Sequence, residues 1–482
     1  MPDPNWSQAL RTVAPELTLT IVALIVLVLD LVAGRGRKGA LAAIAVVGTL
    51  LALGWSVSLW GERLVAYGGM VVADNYSLFF NIAFLAITVL TILLSTSYLR
   101  REEADLSEYY VLLLFCTLGM MLMAKGLDLI VIFLGLEILS ISNYVLAGFL
   151  RTRLQSNESA LKYFLLGSFS SAFFLYGIAL IYGTTGSTNL GRIAQALQAN
   201  RDPGPLFQVG MALLLVGFAF KVASVPFHMW TPDAYEGAPT PITAYMSVGP
   251  KAAAFAAFLR VFSQPLAAMQ GEWAVVLWVL AALTMTVGNV VAIAQPNIKR
   301  MLAYSSIAHA GYLLVPMVAS GELGTSSLLF YVLAYAFTTL GAFAVVILLS
   351  RKGEAGYEIA GYAGLGYTHP VLALAMTLFM LSLGGIPPTA GFVAKFYIFS
   401  AAVKAGYIWL TVIGVLTSAV SLYYYLRIVV LMYMREPAEE SSAATLTAGP
   451  LVTLAIAAFA VLLMGLFPGS IFTLAQSSVF GL

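Results

Sequence analysis

Apolar runs of about twenty residues follow one another along nearly the whole chain, parted by short polar stretches. A hydrocarbon core about 30 Å thick is crossed by about 20 apolar residues in a helix, so each run predicts a membrane span. Spans are expected near 15–34, 39–60, 75–98, 108–124, 127–149, 158–182 and 206–229. They continue near 240–262, 273–294, 299–319, 326–349, 370–402, 407–433 and 449–467. The fold class is therefore an all-α polytopic membrane protein with about 14 transmembrane helices. The seventh, eighth and twelfth spans carry interior prolines, and the twelfth is too long for one straight crossing. The longest polar stretches, about 183–205, 351–369 and 434–448, read as loops, and none suits a soluble domain.

Composition agrees: 61% of the 482 residues are hydrophobic and 10% charged, against about 25% charged in a soluble domain. A formal charge of +2 without a basic run gives no case for nucleic-acid binding. One cysteine, Cys116, excludes an intrachain disulfide and a cysteine-held iron–sulfur cluster. His228, His309 and His369 are far apart; two histidines can ligate a haem, but there is no attachment motif, so no redox centre is expected. The first span follows a single basic residue, Arg11, has no small-residue cleavage site after it, and contains Asp30. It reads as a retained span rather than a signal peptide.

Basic residues orient the spans. With the amino terminus outside, the inner loops hold Arg35, Arg37, Lys38, Arg100, Arg101, Arg151, Arg153, Lys299, Arg300, Arg351, Lys352, Arg427 and Arg435. The outer side holds Arg11, Arg63, Lys125, Arg192, Arg201, Arg260 and Lys404. Thirteen against seven puts both termini on the periplasmic side.

Five ionisable residues lie inside spans and away from either membrane surface: Glu137, Lys162, Lys221, Lys251 and Lys395. A charge at the bilayer centre costs at least about 2.5–3.5 kcal/mol, and such groups usually serve transport. Glu137 is ten residues into its span, about 15 Å at 1.5 Å per residue, among Ser140, Ser142 and Asn143. Lys221 precedes Pro226, Lys251 follows Pro250, and Lys395 follows Gly384-Gly385-Ile386-Pro387-Pro388. A proline frees the carbonyl four residues back, here Val222 and Met246, and lipid tolerates such breaks only where protein or water satisfies the backbone. Lys221 is the expected partner of Glu137. The plainer readings stand beside these: kinks without function, a satisfied carboxylate, and snorkelling at Lys221 or Lys395. Lys162 has the spacing of a surface ion pair with Glu158. His228 either passes protons at an entrance or caps a loop, and Tyr304 and His309 are either proton carriers or satisfied core residues. Glu16 and Asp30 are expected to make structural contacts with a partner.

The breaks in spans 7 and 12 lie five spans apart, so spans 4–8 and 9–13 predict two inverted five-helix repeats, the pointer to an ion path. The units are 1–107 (spans 1–3), 108–263, 264–433 and 434–482 (a loop and span 14).

The stretch from Lys221-Val222-Ala223-Ser224-Val225-Pro226-Phe227-His228-Met229-Trp230 to Thr231-Pro232-Asp233-Ala234-Tyr235-Glu236-Gly237-Ala238-Pro239-Thr240-Pro241 resembles a signature of the antiporter-like subunits of respiratory complex I. Asn297–Tyr312 and Gly384–Tyr397 resemble the same family, in its N or subunit-2 type. Lysine at 395 separates it from the M type, which is similar but has an acid there, and no long lateral helix of the L type follows span 14. The resemblance implies a proton-translocating subunit of NADH:quinone oxidoreductase without its own cofactors, in a bacterial plasma membrane. NADH, FMN, iron–sulfur clusters and quinone would belong to other subunits. Neighbouring antiporter-like and small membrane subunits, and the lipid bilayer, would be its partners. It maps the family's buried charges onto Glu137, Lys162, Lys221, Lys251 and Lys395. Protons would enter near Lys162 and His228, load Glu137–Lys221, and pass through Lys251, water and Tyr304 or His309 to Lys395. A subunit of a sodium/proton antiporter or of a membrane-bound hydrogenase is the alternative.

Overall fold

The computed structural model describes residues 6–32, 38–199, 203–353, 356–437 and 444–479. Arg35, Arg37 and Arg201 of the charge tally lie outside them. Helices α1 (Trp6–Thr12), α2 (Ala14–Val32) and α3 (Lys38–Ser58) lead into a small antiparallel hairpin, β1 (Leu64–Ala66) and β2 (Val71–Ala73). Then come α4 (Asn75–Arg101), α5 (Glu108–Lys125), α6 (Leu129–Ala147), α7 (Leu154–Thr185), α8 (Leu190–Ala199), α9 (Pro205–Lys221) and α10 (Trp230–Gly237). Next are α11 (Thr240–Ser263), α12 (Gln270–Ile293), α13 (Ile298–Ala319), α14 (Gly321–Leu349) and α15 (Leu365–Thr368). The chain closes with α16 (Pro370–Gly384), α17 (Ala390–Lys404), α18 (Ile408–Met434), α19 (Ala448–Leu466) and α20 (Pro468–Ser477).

Among the described residues, twelve helices are long and apolar enough to cross a membrane, making this a multi-pass membrane protein. The seventh and twelfth expected spans are the exceptions, and both are broken. The seventh stops at Lys221, and the short α10 follows after residues 222–229; the twelfth divides into α16 and α17 around residues 385–389. The eighth, in contrast, runs unbroken through Pro250 as α11. The polar stretch 183–205, expected as a loop, contains α8, whose Leu190, Ile193 and Leu197 are buried along one side.

Capping fixes where spans begin. Asp74 and Ser77 exchange hydrogen bonds at the start of α4, Asp128 accepts from the Ile130 amide at α6, and Asn297 accepts from the Lys299 and Arg300 amides at α13. Each satisfies amides that a helix start leaves without partners. The centre is α11, buried along its length and packed on α4, α5 and α14. Its run of small residues, Ala252, Ala253, Ala254, Ala256 and Ala257, allows that close approach. The outer helices α2, α3, α7, α12, α18 and α19 keep apolar faces exposed, as lipid or neighbouring subunits require.

Candidate proton-transfer site

Glu137 is half-buried on α6, and its Oε1 accepts from Ser171 Oγ of α7 at 2.5 Å. One turn on, Ser140 Oγ accepts from Lys221 Nζ at 2.8 Å and donates to the Leu136 carbonyl. Glu137 and Lys221 therefore stand side by side through a hydroxyl, with no salt bridge between them among the described residues. Lys221 is the last residue of α9 and is buried rather than snorkelling. The helix end beside it is closed by protein: Val222 and Ser224 amides donate to the Phe218 and Ala219 carbonyls, and the Val225 amide to Thr284 Oγ1 of α12.

Pro250 frees the Met246 carbonyl, and Tyr235 OH donates to it at 3.1 Å. The next residue, Lys251, donates to Ser306 Oγ at 2.5 Å and to the Ser306 carbonyl at 2.9 Å. Ser306 is one turn from His309 on α13. His309 shares hydrogen bonds with Tyr331 OH through Nδ1 (2.7 Å) and with Tyr425 OH through Nε2 (3.4 Å). Tyr304 sits at the edge of the packed core instead, so the two candidates of the tenth span part here.

Lys395 is buried on α17 and occupies the end of the broken helix before it. Gly385, with φ +82°, turns the chain out of α16, and the amides of Gly385 and Ile386 return to the Leu381 carbonyl. That is the usual glycine closure of a helix. The next carbonyls, Leu383 and Gly384, accept from Lys395 Nζ at 2.9 and 3.1 Å, and Ser418 Oγ of α18 accepts at 2.8 Å. The negative end of the α16 dipole thus faces the ammonium.

Lys162 makes the ordinary i,i+4 pair with Glu158 at 2.7 Å, and also reaches Asp233 of α10 at 2.7 Å. Arg300 joins Asp233 and Glu236, completing an ion network on the side of α10. His228 lies in the half-buried segment between α9 and α10.

Three expectations are corrected. Lys125, counted as an outer-loop charge, is fully buried and pairs at 2.8 Å with Glu16, which also accepts from Asn81. Asp30 accepts from Ser107 Oγ at 2.5 Å; Glu16 and Asp30 thus bind this chain's own side chains. Lys299, counted in an inner loop, is buried and donates to the Ala238 carbonyl. Sequence reasoning noted Ser140 only as a polar neighbour of Glu137 and gave no role to Ser171, Ser306, Tyr312, Ser418 or Asp233. For Ser306 and Tyr312 a signal existed: with His309 they form a stripe at three-residue spacing on one helix.

The NADH:quinone oxidoreductase/Mrp antiporter transmembrane family matches residues 126–421, which hold both helix breaks and all five in-span charges. NADH-quinone oxidoreductase subunit N of Trichlorobacter lovleyi is 51% identical over 98% of this chain and 97% of its own length. The chain belongs to the subunit N family. A chain of respiratory complex I from Thermus thermophilus has the same fold, with TM-score 0.82 and 38% identity over 96% of this chain and 99% of that one. The Mrp complex of a Dietzia species contains a chain with TM-score 0.82 and 23% identity, covering 96% of each, which shows the shared fold. A subunit N is thus a membrane component of a multi-subunit oxidoreductase complex, beside other membrane-arm subunits.

Proposed function

We propose that this subunit carries protons across the membrane, driven by electron transfer from NADH to quinone in the complex it belongs to. The observation that carries the reading is the set of buried lysines, Lys221, Lys251 and Lys395, bonded to hydroxyls and carbonyls and to no carboxylate among the described residues. No direct carboxylate bond locks the proton in place, so a charge moved nearby can load or release it. Protons enter by Lys162, Asp233 and His228 and load Lys221 beside Glu137. They pass from Lys251 along Ser306 and His309 to Lys395, then to the outer surface. The buried hydroxyls of Ser170, Ser224 and Thr231, which have no partner among the described residues, offer hydrogen bonds to a water chain near the first lysine.

On this reading α9–α10 and α16–α17 are the broken seventh and twelfth of 14 spans. Residues 108–263 and 264–433 are the inverted repeats, flanked by 1–107 and 434–482, with both termini periplasmic in the bacterial plasma membrane. The test is acidification of inverted vesicles holding the whole complex. The proposal expects uptake with NADH and quinone, abolished by a quinone-site inhibitor. Uptake driven by a sodium gradient but not by NADH would favour antiport.

A further inference from the structure

Each of the three buried lysines stands near a tyrosine ring: Lys221 5.9 Å from Tyr144, Lys251 5.7 Å from Tyr235, and Lys395 4.9 Å from Tyr312. The last is the closest, and its ring is the most firmly fixed. Tyr312 OH accepts from Asn289 Nδ2 of α12 at 2.9 Å, and Asn289 Oδ1 accepts from Tyr424 OH of α18 at 2.8 Å. Tyr312, Asn289 and Tyr424 are all buried. These bonds anchor the ring, and the ammonium lies over it. The ring also meets His309 edge-on, with centroids 5.6 Å apart.

We infer that Tyr312 is a positioning residue for Lys395: its anchored ring, one turn from His309 on α13, holds the ammonium at the end of α16. The inference rests on the proposed proton path and adds to it. A ring face attracts a desolvated cation through its quadrupole, independently of any hydrogen bond. The carbonyls of Leu383 and Gly384 bind the ammonium from α16 and Ser418 from α18, so the ring closes the side that those groups leave to α13. Without it the ammonium would be free to turn toward the groove lined by Phe392, Phe396 and Phe399.

Ring electronics separate this role from packing. In the whole complex, residue 312 is replaced by phenylalanine and then by mono-, di- and trifluorophenylalanine, which weaken the π-face at nearly constant volume. Proton uptake per assembled complex is read in inverted vesicles, alongside Tyr312→Leu and Lys395→Met. The expected result is a stepwise fall of about tenfold across the fluorine series, with Tyr312→Leu at or below its lowest member. A flat series, with Lys395→Met still inactive, overturns the role of Tyr312 and leaves the path intact. Wild-type uptake by Lys395→Met overturns the path, and this inference with it.

Discussion

Ser140 supplies the hydrogen bond through which the structure holds the charge of Lys221, so Ser140→Ala should uncouple that lysine without disturbing the helix. The hydroxyl accepts from Nζ at 2.8 Å in a buried setting. A hydrogen bond to a charged group contributes about 1.5–3 kcal/mol, and about 1.4 kcal/mol is a factor of ten. The charged form of Lys221 should therefore lose about 10- to 150-fold in relative occupancy. The second bond of Ser140, to the Leu136 carbonyl within the same helix, ties nothing else to α6. The assay is donor-driven proton uptake in inverted vesicles, normalised to assembled complex on native gels. Uptake should fall at least tenfold in Ser140→Ala and stay near wild type in Ser140→Thr, which keeps the hydroxyl. Wild-type uptake by an assembled Ser140→Ala complex would refute the reasoning, because the lysine would then load without its hydroxyl partner.

Breaking the buried Glu16–Lys125 pair by Lys125→Met should cost about 3–5 kcal/mol, since a buried carboxylate loses its cation. Adding Glu16→Leu should recover most of that. Heat-induced loss of the subunit from the detergent-solubilised complex reads both, and additive effects would show that the pair is not coupled. At Gly391 a Cβ would lie 1.8 Å from the Ser382 carbonyl, so Gly391→Ala should push α17 off α16 and displace Lys395. Assembly with undiminished uptake would contradict that. Asp233→Asn should free Lys162 and Arg300 from their shared carboxylate and slow uptake a few-fold with normal assembly. An unchanged initial rate at low proton concentration would remove the ion network from the entrance.

The apolar periodicity was enough to place most spans, because lipid imposes one length on every crossing. The lysines stood out for the same reason: a charge ten residues into a span has no surface to reach. The second break was legible in Gly384-Gly385-Ile386-Pro387-Pro388, where the left-handed residue is a glycine. The first was less so, since its left-handed residue is Ala223, with φ 60°, and only Pro226 marks it. Partners were the illegible part. Nothing local says that Lys125 turns inward to Glu16, or that Lys221 takes Ser140 rather than Glu137, because those choices are made by helices distant in sequence. The helix α8 was hidden by its polarity; three buried apolar residues in ten suffice when one side meets the bundle.

The central claim is that protons travel by the buried lysines. It is tested most directly by donor-driven acidification of inverted vesicles, comparing wild type with Lys221→Ala after equal assembly has been verified. The account predicts that wild type acidifies the vesicles and that the variant's uptake is abolished or sharply reduced. Full acidification by an assembled Lys221→Ala complex would contradict it.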